Sequence, residues 1–207
     1  LRASSSVGVP FAYDIRGFSE LTRVLSDPQY RNAPGFQAKR LAEKFVIQRA
    51  NVCCIIDSRI AQLSPSIPGD AVVVPNSYIV TEPRLATQLE VRPQTESSEF
   101  RAQLSYAGSL HSYEGLDLLL CALHLLRYEG LDVKLDLVGG HVLGATSSTA
   151  ALSRLKRIAK QYRIDDLVTF YGSVPPHAAE GVIRESTLFI VPRLSNLITE
   201  SVPPIKT

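Results

Sequence analysis

The chain has no methionine and only three cysteines in 207 residues. Cys53 and Cys54 lie in NVCCII and Cys121 in LLLCALHLL. An odd number of thiols in apolar settings argues for buried thiols in a reducing compartment. No CxxC and no paired-histidine pattern occurs, so the spaced ligands of a metal site are missing. No apolar run approaches the roughly 20 residues of a membrane helix. The net charge of +2 is too small to argue for nucleic acid as a partner. No GxGxxG run and no P-loop glycine–lysine run is present, which disfavours ordinary dinucleotide binders and P-loop enzymes. With no methionine, a start at Leu1 and a stop in mid-pattern at SVPPIKT, the expectation is a piece of a longer protein.

What remains is an ordinary globular composition, 45% hydrophobic and 20% charged, long enough for one large or two small domains. Residues 1–80 hold VPFAYDIRG, then a polar turn-rich part, then GFQAKRLAEKFVIQRA. In this last piece Phe36, Leu41, Phe45 and Ala50 fall near helical spacing, and Pro34-Gly35 gives a helix entry. NVCCII and AVVVPN read as buried strands of an α/β sheet. Residues 81–100 are polar, hold two prolines and have no period, as in a linker between domains. From 101 to 207 the chain alternates. LSYAGS is a strand, LDLLLCALHLLRYEG a helix, LDVKLDLVGG a strand and ALSRLKRIAKQY an amphipathic helix. DLVTFYGSV, HAAEGVIRES and TLFIVPR continue as strand, short helix and strand. This βαβαβαβ order is that of a parallel sheet covered by helices.

Ligands of open parallel sheets bind beyond the carboxyl ends of the strands. Three successive strand ends here carry glycine: Gly108, Gly139 with Gly140, and Gly172. Missing side chains let a phosphate-bearing ligand approach the backbone, and a helix N-terminus offers N–H groups to an anion. The competing explanation is that turns between strand and helix favour glycine for their own geometry. Of the histidines, His177 reads as a surface or capping residue and His124 as packing. His111 stands near the Gly108 turn, and His141 follows the double glycine. In YDIRG, Asp14 and Arg16 follow a strand, where they face a cleft or simply pair with each other.

YAGSLHSYEGLDLLLCAL, LDVKLDLVGG, DDLVTFYGSV and STLFIVPR occur in the order seen in the C-terminal domain of glycosyltransferase family 4. VIQRANVCCIIDSR followed by VVVPNSY resembles the end of that family's N-terminal domain. The resemblance implies an α/β GT-B fold of two Rossmann-like domains, here the end of the first (1–80) and the first part of the second (101–207). It implies retaining transfer of a sugar, hexosyltransferase type, from a nucleotide-sugar donor to a glycan or lipid-linked acceptor. Such an enzyme works in polysaccharide biosynthesis, generally with no cofactor and no metal. It also implies a cytoplasmic place, with peripheral association at the inner face of the membrane as a further expectation. For the GFQAKRLAEKFVIQRA helix, packing on its own sheet is favoured over the membrane.

Carried over residue by residue, Gly108 and Ser109 match the turn beside the donor diphosphate, and Gly172, Ser173 and Val174 the stretch that passes the base. Glu200 is the candidate catalytic acid. Many members carry an Arg just after the first glycine and a Lys just before the second, where this chain has Ser109 and Glu114. Glu114 would repel a diphosphate unless it points away. Arg193 and Lys206 are the replacement cations, with a solvated surface residue as the other reading of Arg193. Asp14 and Arg16 are the acceptor-side candidates. Without the segments that would follow Thr207, this stretch alone is expected to be inactive. A sugar-nucleotide epimerase of the same fold and a non-catalytic nucleotide-binding domain are the alternatives.

Overall fold

Short apolar runs become parallel strands, and the amphipathic stretches between them become helices. The computed structural model describes residues 8–76, 101–140 and 145–202, with backbone alone at 101 and 145–148. In chain order the elements are β1 (Ala12–Ile15), α1 (Ser19–Ser26), α2 (Pro34–Ile47), β2 (Val52–Ile55), β3 (Val72–Val73), β4 (Arg101–Ala107), α3 (Leu116–Tyr128), β5 (Asp132–Val138), α4 (Ala145–Gln161), β6 (Val168–Gly172), α5 (Pro176–Glu185), β7 (Leu188–Phe189) and α6 (Leu197–Ser201). They divide into two compact units, Leu1–Ser77 with Leu194–Thr207, and Tyr78–Arg193. The sequence reading runs the second domain to 207, whereas the chain from Leu194 onward groups with the first unit. The expected linker, 81–100, lies outside the described residues.

The first unit has a parallel sheet in the order β1-β2-β3, in register from Ala12 opposite Val52 to Ile15 opposite Ile55. Ile15, Phe18, Ile47, Cys53, Ile55 and Ile60 form its core. Two features depart from the sequence reading. The turn-rich part before GFQAKRLAEKFVIQRA contains α1, anchored by buried Phe18 and Val24. On α2, Phe36 and Ile47 are buried, but Leu41 is 66% and Phe45 50% exposed. Polar side chains hold the inner face instead: Tyr13 donates to Glu43 at 2.7 Å, and Arg40 reaches the Leu63 carbonyl at 3.1 Å.

The second unit has a parallel sheet in the order β6-β5-β4-β7. Ala102, Leu104 and Tyr106 of β4 and Val133, Leu135 and Leu137 of β5 pack against α3 and α4 through Leu116, Leu120, Leu123, Leu155 and Ala159. The opposite face is polar. Gln103 donates to Asp136 at 2.7 Å, and the Ser105 and Ser186 hydroxyls lie 2.7 Å apart. This explains why LDVKLDLVGG alternates: only one face of its strand enters the apolar core. TLFIVPR yields a strand of two residues, Leu188 opposite Leu104 and Phe189 opposite Ser105. Among the described residues, no helix is long and apolar enough to cross a membrane.

Candidate functional site at the switch point of the second sheet

The order β6-β5-β4-β7 contains a reversal. The chain steps from β4 to β5 to β6, then crosses back to place β7 on the other side of β4. The turns leaving β4 and β7 therefore diverge, and the crevice between them is where open α/β sheets take ligands. The two turns are Gly108–Gly115 and the stretch from Ile190 to Arg193.

Three of the glycines meet at the carboxyl ends of adjacent strands. The Gly108 N–H donates to the Val138 carbonyl at 2.9 Å, and the Gly139 N–H to the Gly172 carbonyl at 2.8 Å. These two amides are engaged across the sheet. The glycines serve close approach. A Cβ on Gly139 would overlap the Gly108 carbonyl oxygen, and Gly139 has φ +151°. Gly172 needs glycine for a different reason: φ is +70° there, and nothing lies within 4 Å of a Cβ. Gly140 continues the β5 exit and is half-buried, Ser173 is exposed and Val174 half-buried.

The β4 turn is fixed by buried groups. The Tyr106 hydroxyl donates to the Ser109 carbonyl at 2.6 Å. Burial pushes the Tyr106 phenol well above its ordinary range, and the charge of Glu114 adds to the effect. The turn then forms a 3-10 segment, Ser112–Glu114, and the left-handed Gly115 opens α3 without a side-chain cap. The start of this 13-residue helix faces the strand ends and favours negative charge.

Glu114 does not point away, nor does it stand as a lone repelling charge. Its Oε1 accepts from the Ser109 hydroxyl at 3.2 Å and from Arg193 Nη2 at 3.0 Å, while Oε2 lies 3.3 Å from Arg193 Nε. The side chains of Arg193 and Glu114 are only 20% and 7% exposed, so this is a largely buried ion pair across the crevice. The solvated-surface reading of Arg193 is thereby set aside. The Arg193 guanidinium also lies 5.9 Å from the Tyr113 ring centre, and the His111 ring stacks on Tyr113 at 5.1 Å.

The remaining candidates have surroundings of their own. Glu200 belongs to the first unit, on α6, exposed and accepting from the Ser195 hydroxyl. Asp14 and Arg16 form a local ion pair of 2.6 Å, and Arg16 also donates to Asn76 at 2.5 Å. His177 is exposed in the first turn of α5. His124 packs on the Tyr162 ring at 5.2 Å with Nδ1 3.0 Å from the Tyr162 carbonyl. Lys206 and His141 lie outside the described residues. Among the described residues, no cluster of three or more His, Cys, Asp or Glu could hold a metal.

The strand reversal and the parallel sheet around it define an open α/β unit with a switch point. Solved structures share the fold. Sucrose-phosphate synthase from Thermosynechococcus elongatus superposes with a TM-score of 0.64 at 16% identity, over 92% of this chain and 46% of that one. HepE of Anabaena in complex with UDP gives 0.61 at 16%, over 94% and 50%. WaaG, a glycosyltransferase involved in lipopolysaccharide biosynthesis, gives 0.61 at 14%, over 90% and 51%. The chain thus spans about half the length of these structures, and its fold is α/β of GT-B type. Residues 87–203, more than half of the chain, match the family of glycosyl transferases group 1, and the chain belongs to that family. No curated protein matches the chain.

Proposed function

We propose that the second unit holds a nucleotide-sugar donor at its switch point, with the diphosphate against the Gly108–Ser109 turn. The whole protein transfers the sugar, with retention and without a metal, to a hydroxyl of a glycan or lipid-linked acceptor. The observation that carries this reading is the strand reversal beside β4, where the Gly108 turn and the exit of β7 are joined by the Arg193–Glu114 pair. HepE, a structure of the same fold, is solved with UDP, which supports a nucleoside diphosphate as the ligand.

In the reaction the bond from the anomeric carbon to the terminal phosphate oxygen breaks, and its electron pair leaves with the diphosphate. The acceptor oxygen bonds to that carbon, and its proton passes to the departing phosphate. Charge grows on the phosphate as the bond breaks, so stabilisation is needed there. The start of α3 supplies most of it, because the Glu114 carboxylate offsets Arg193. Holding donor and acceptor together makes the displacement effectively unimolecular.

Calorimetric titration of the chain with UDP, GDP and ADP tests the donor site. Micromolar to low-millimolar binding of one of them is expected, with loss in Gly108→Val because a β-branched side chain blocks close approach. The absence of binding to all three refutes the reading. Binding by the whole protein without transfer or hydrolysis of any sugar donor leaves a non-catalytic nucleotide-binding domain.

A further inference from the structure

The charge pattern at the switch point bears on which nucleotide form stays bound. A phosphate-binding crevice would be expected to be plainly cationic, yet its best-placed cation is tied to an anion. Glu114 Oε1 is shared by the Ser109 hydroxyl and Arg193, so the carboxylate lies between the β4 turn and the guanidinium. At the Ser109 hydroxyl the carboxylate is in hydrogen-bond contact, with the guanidinium on its other side. Both groups are largely buried, so solvent screens them little.

We propose that Glu114 is a specificity-determining residue that limits the anionic charge the crevice retains, favouring the sugar-bearing donor over the free nucleoside diphosphate. This rests on the donor-site reading above. In the donor the sugar esterifies the terminal phosphate, and the diphosphate carries about two negative charges. Once the sugar leaves, that phosphate is a monoester-type group whose second ionisation lies near pH 6, so it releases the proton taken from the acceptor to solvent and the product carries about three. The added charge gains little from Arg193, whose field the carboxylate offsets, and it is repelled by Glu114. Product therefore leaves readily, at a step that often limits turnover.

The experiment compares the dissociation constants of UDP and UDP-glucose for the chain and for Glu114→Gln at one ionic strength, or of GDP and GDP-mannose if the chain prefers guanine. In the unsubstituted chain the free diphosphate should bind no more than about threefold tighter than the sugar nucleotide. Removing the charge of Glu114 should tighten the free diphosphate about tenfold and the sugar nucleotide only about threefold. Arg193→Gln should weaken both. A folded Glu114→Gln that binds both as before, or loses both equally, overturns the inference and leaves the donor site standing. If that variant does not fold, the unsubstituted chain decides: a free diphosphate more than about threefold tighter than its sugar ester overturns it, and a ratio within threefold supports it. If the chain binds no nucleotide at all, the donor-site reading fails and the inference falls with it.

Discussion

Gly139→Ala should be among the most damaging single-methyl additions in the second unit. At φ +151° a side chain is strained, at roughly 1–3 kcal/mol. The new Cβ would overlap the Gly108 carbonyl oxygen and lie 2.9 Å from its carbonyl carbon. Neither backbone can yield cheaply. Gly108 is hydrogen-bonded to Val138, and Gly139 to Gly172, so relief of the clash breaks the ladder at the strand ends. Forced overpacking adds roughly 1–3 kcal/mol, for a total of about 2–6 kcal/mol. A domain has about 5–15 kcal/mol of stability in all, so the variant should be near unfolding. Gly172→Ala is the control. Its φ of +70° is also unfavourable, but no atom lies within 4 Å of the added carbon. It should lose only the left-handed cost, about 1–2 kcal/mol. Hydrogen exchange of the β4 and β5 amides is the suitable assay, because a chain of two units need not unfold in one step. If Gly139→Ala loses no more than Gly172→Ala, the close approach of the two turns is not what demands glycine.

Three other outcomes are expected. Leu120 is fully buried beneath the sheet, so Leu120→Ala should cost about 3 kcal/mol, read as a fall in urea midpoint; a loss under 1 kcal/mol would show a loosely packed core. Arg59 holds the Asp57 carboxyl at about 2, below its ordinary 3.8, and Asp57 accepts the Arg59 N–H at the start of the 58–63 turn. A depressed carboxyl stabilises the fold above about pH 4, and this is lost as pH falls towards 2. Asp57→Asn should therefore lower the melting temperature at pH 6, with a smaller gap to the parent chain at pH 2.5, and a gap that stays constant contradicts the pairing. Tyr106→Phe removes the hydroxyl that holds the Ser109 carbonyl, with an expected loss of about 1 kcal/mol and weaker UDP binding; unchanged binding would show that the turn holds its shape without it.

The elements of the second unit were legible because their periods were clear. LDVKLDLVGG alternates, and one face of β5 is apolar while the other carries Lys134 and Asp136. The parallel sheet and the gathering of Gly108, Gly139 and Gly172 follow from strand order and turn position. The first unit was harder. α1 lies in a polar stretch, and its anchors Phe18, Leu21 and Val24 could have revealed a three-residue repeat. On α2 the helical period was visible but its phase was not. Leu41 and Phe45 are the natural choices for an inner face, yet Arg40 and Glu43 occupy it, because Glu20, the Leu63 carbonyl and Tyr13 supply their partners. Hydrophobicity alone cannot reveal a face whose polar members are satisfied by residues 20 or more positions away.

The same limit explains the site. Sequence reading located Glu114 and Arg193 separately, one as a repelling charge and one as a substitute cation, and it gave them opposite consequences for a diphosphate. They lie 79 residues apart, and only the crossing from β6 to β7 brings them together. Once paired, each tempers the other. The carboxylate is buried and still charged, and the guanidinium is fixed beside the turn but offset. Breaking such a pair by removing one partner leaves an uncompensated buried charge, which is why the two substitutions should act in opposite directions on an anionic ligand. An unfamiliar acid next to a phosphate turn is therefore not by itself a mark of a dead site. What the crevice retains depends on the partner that the acid holds.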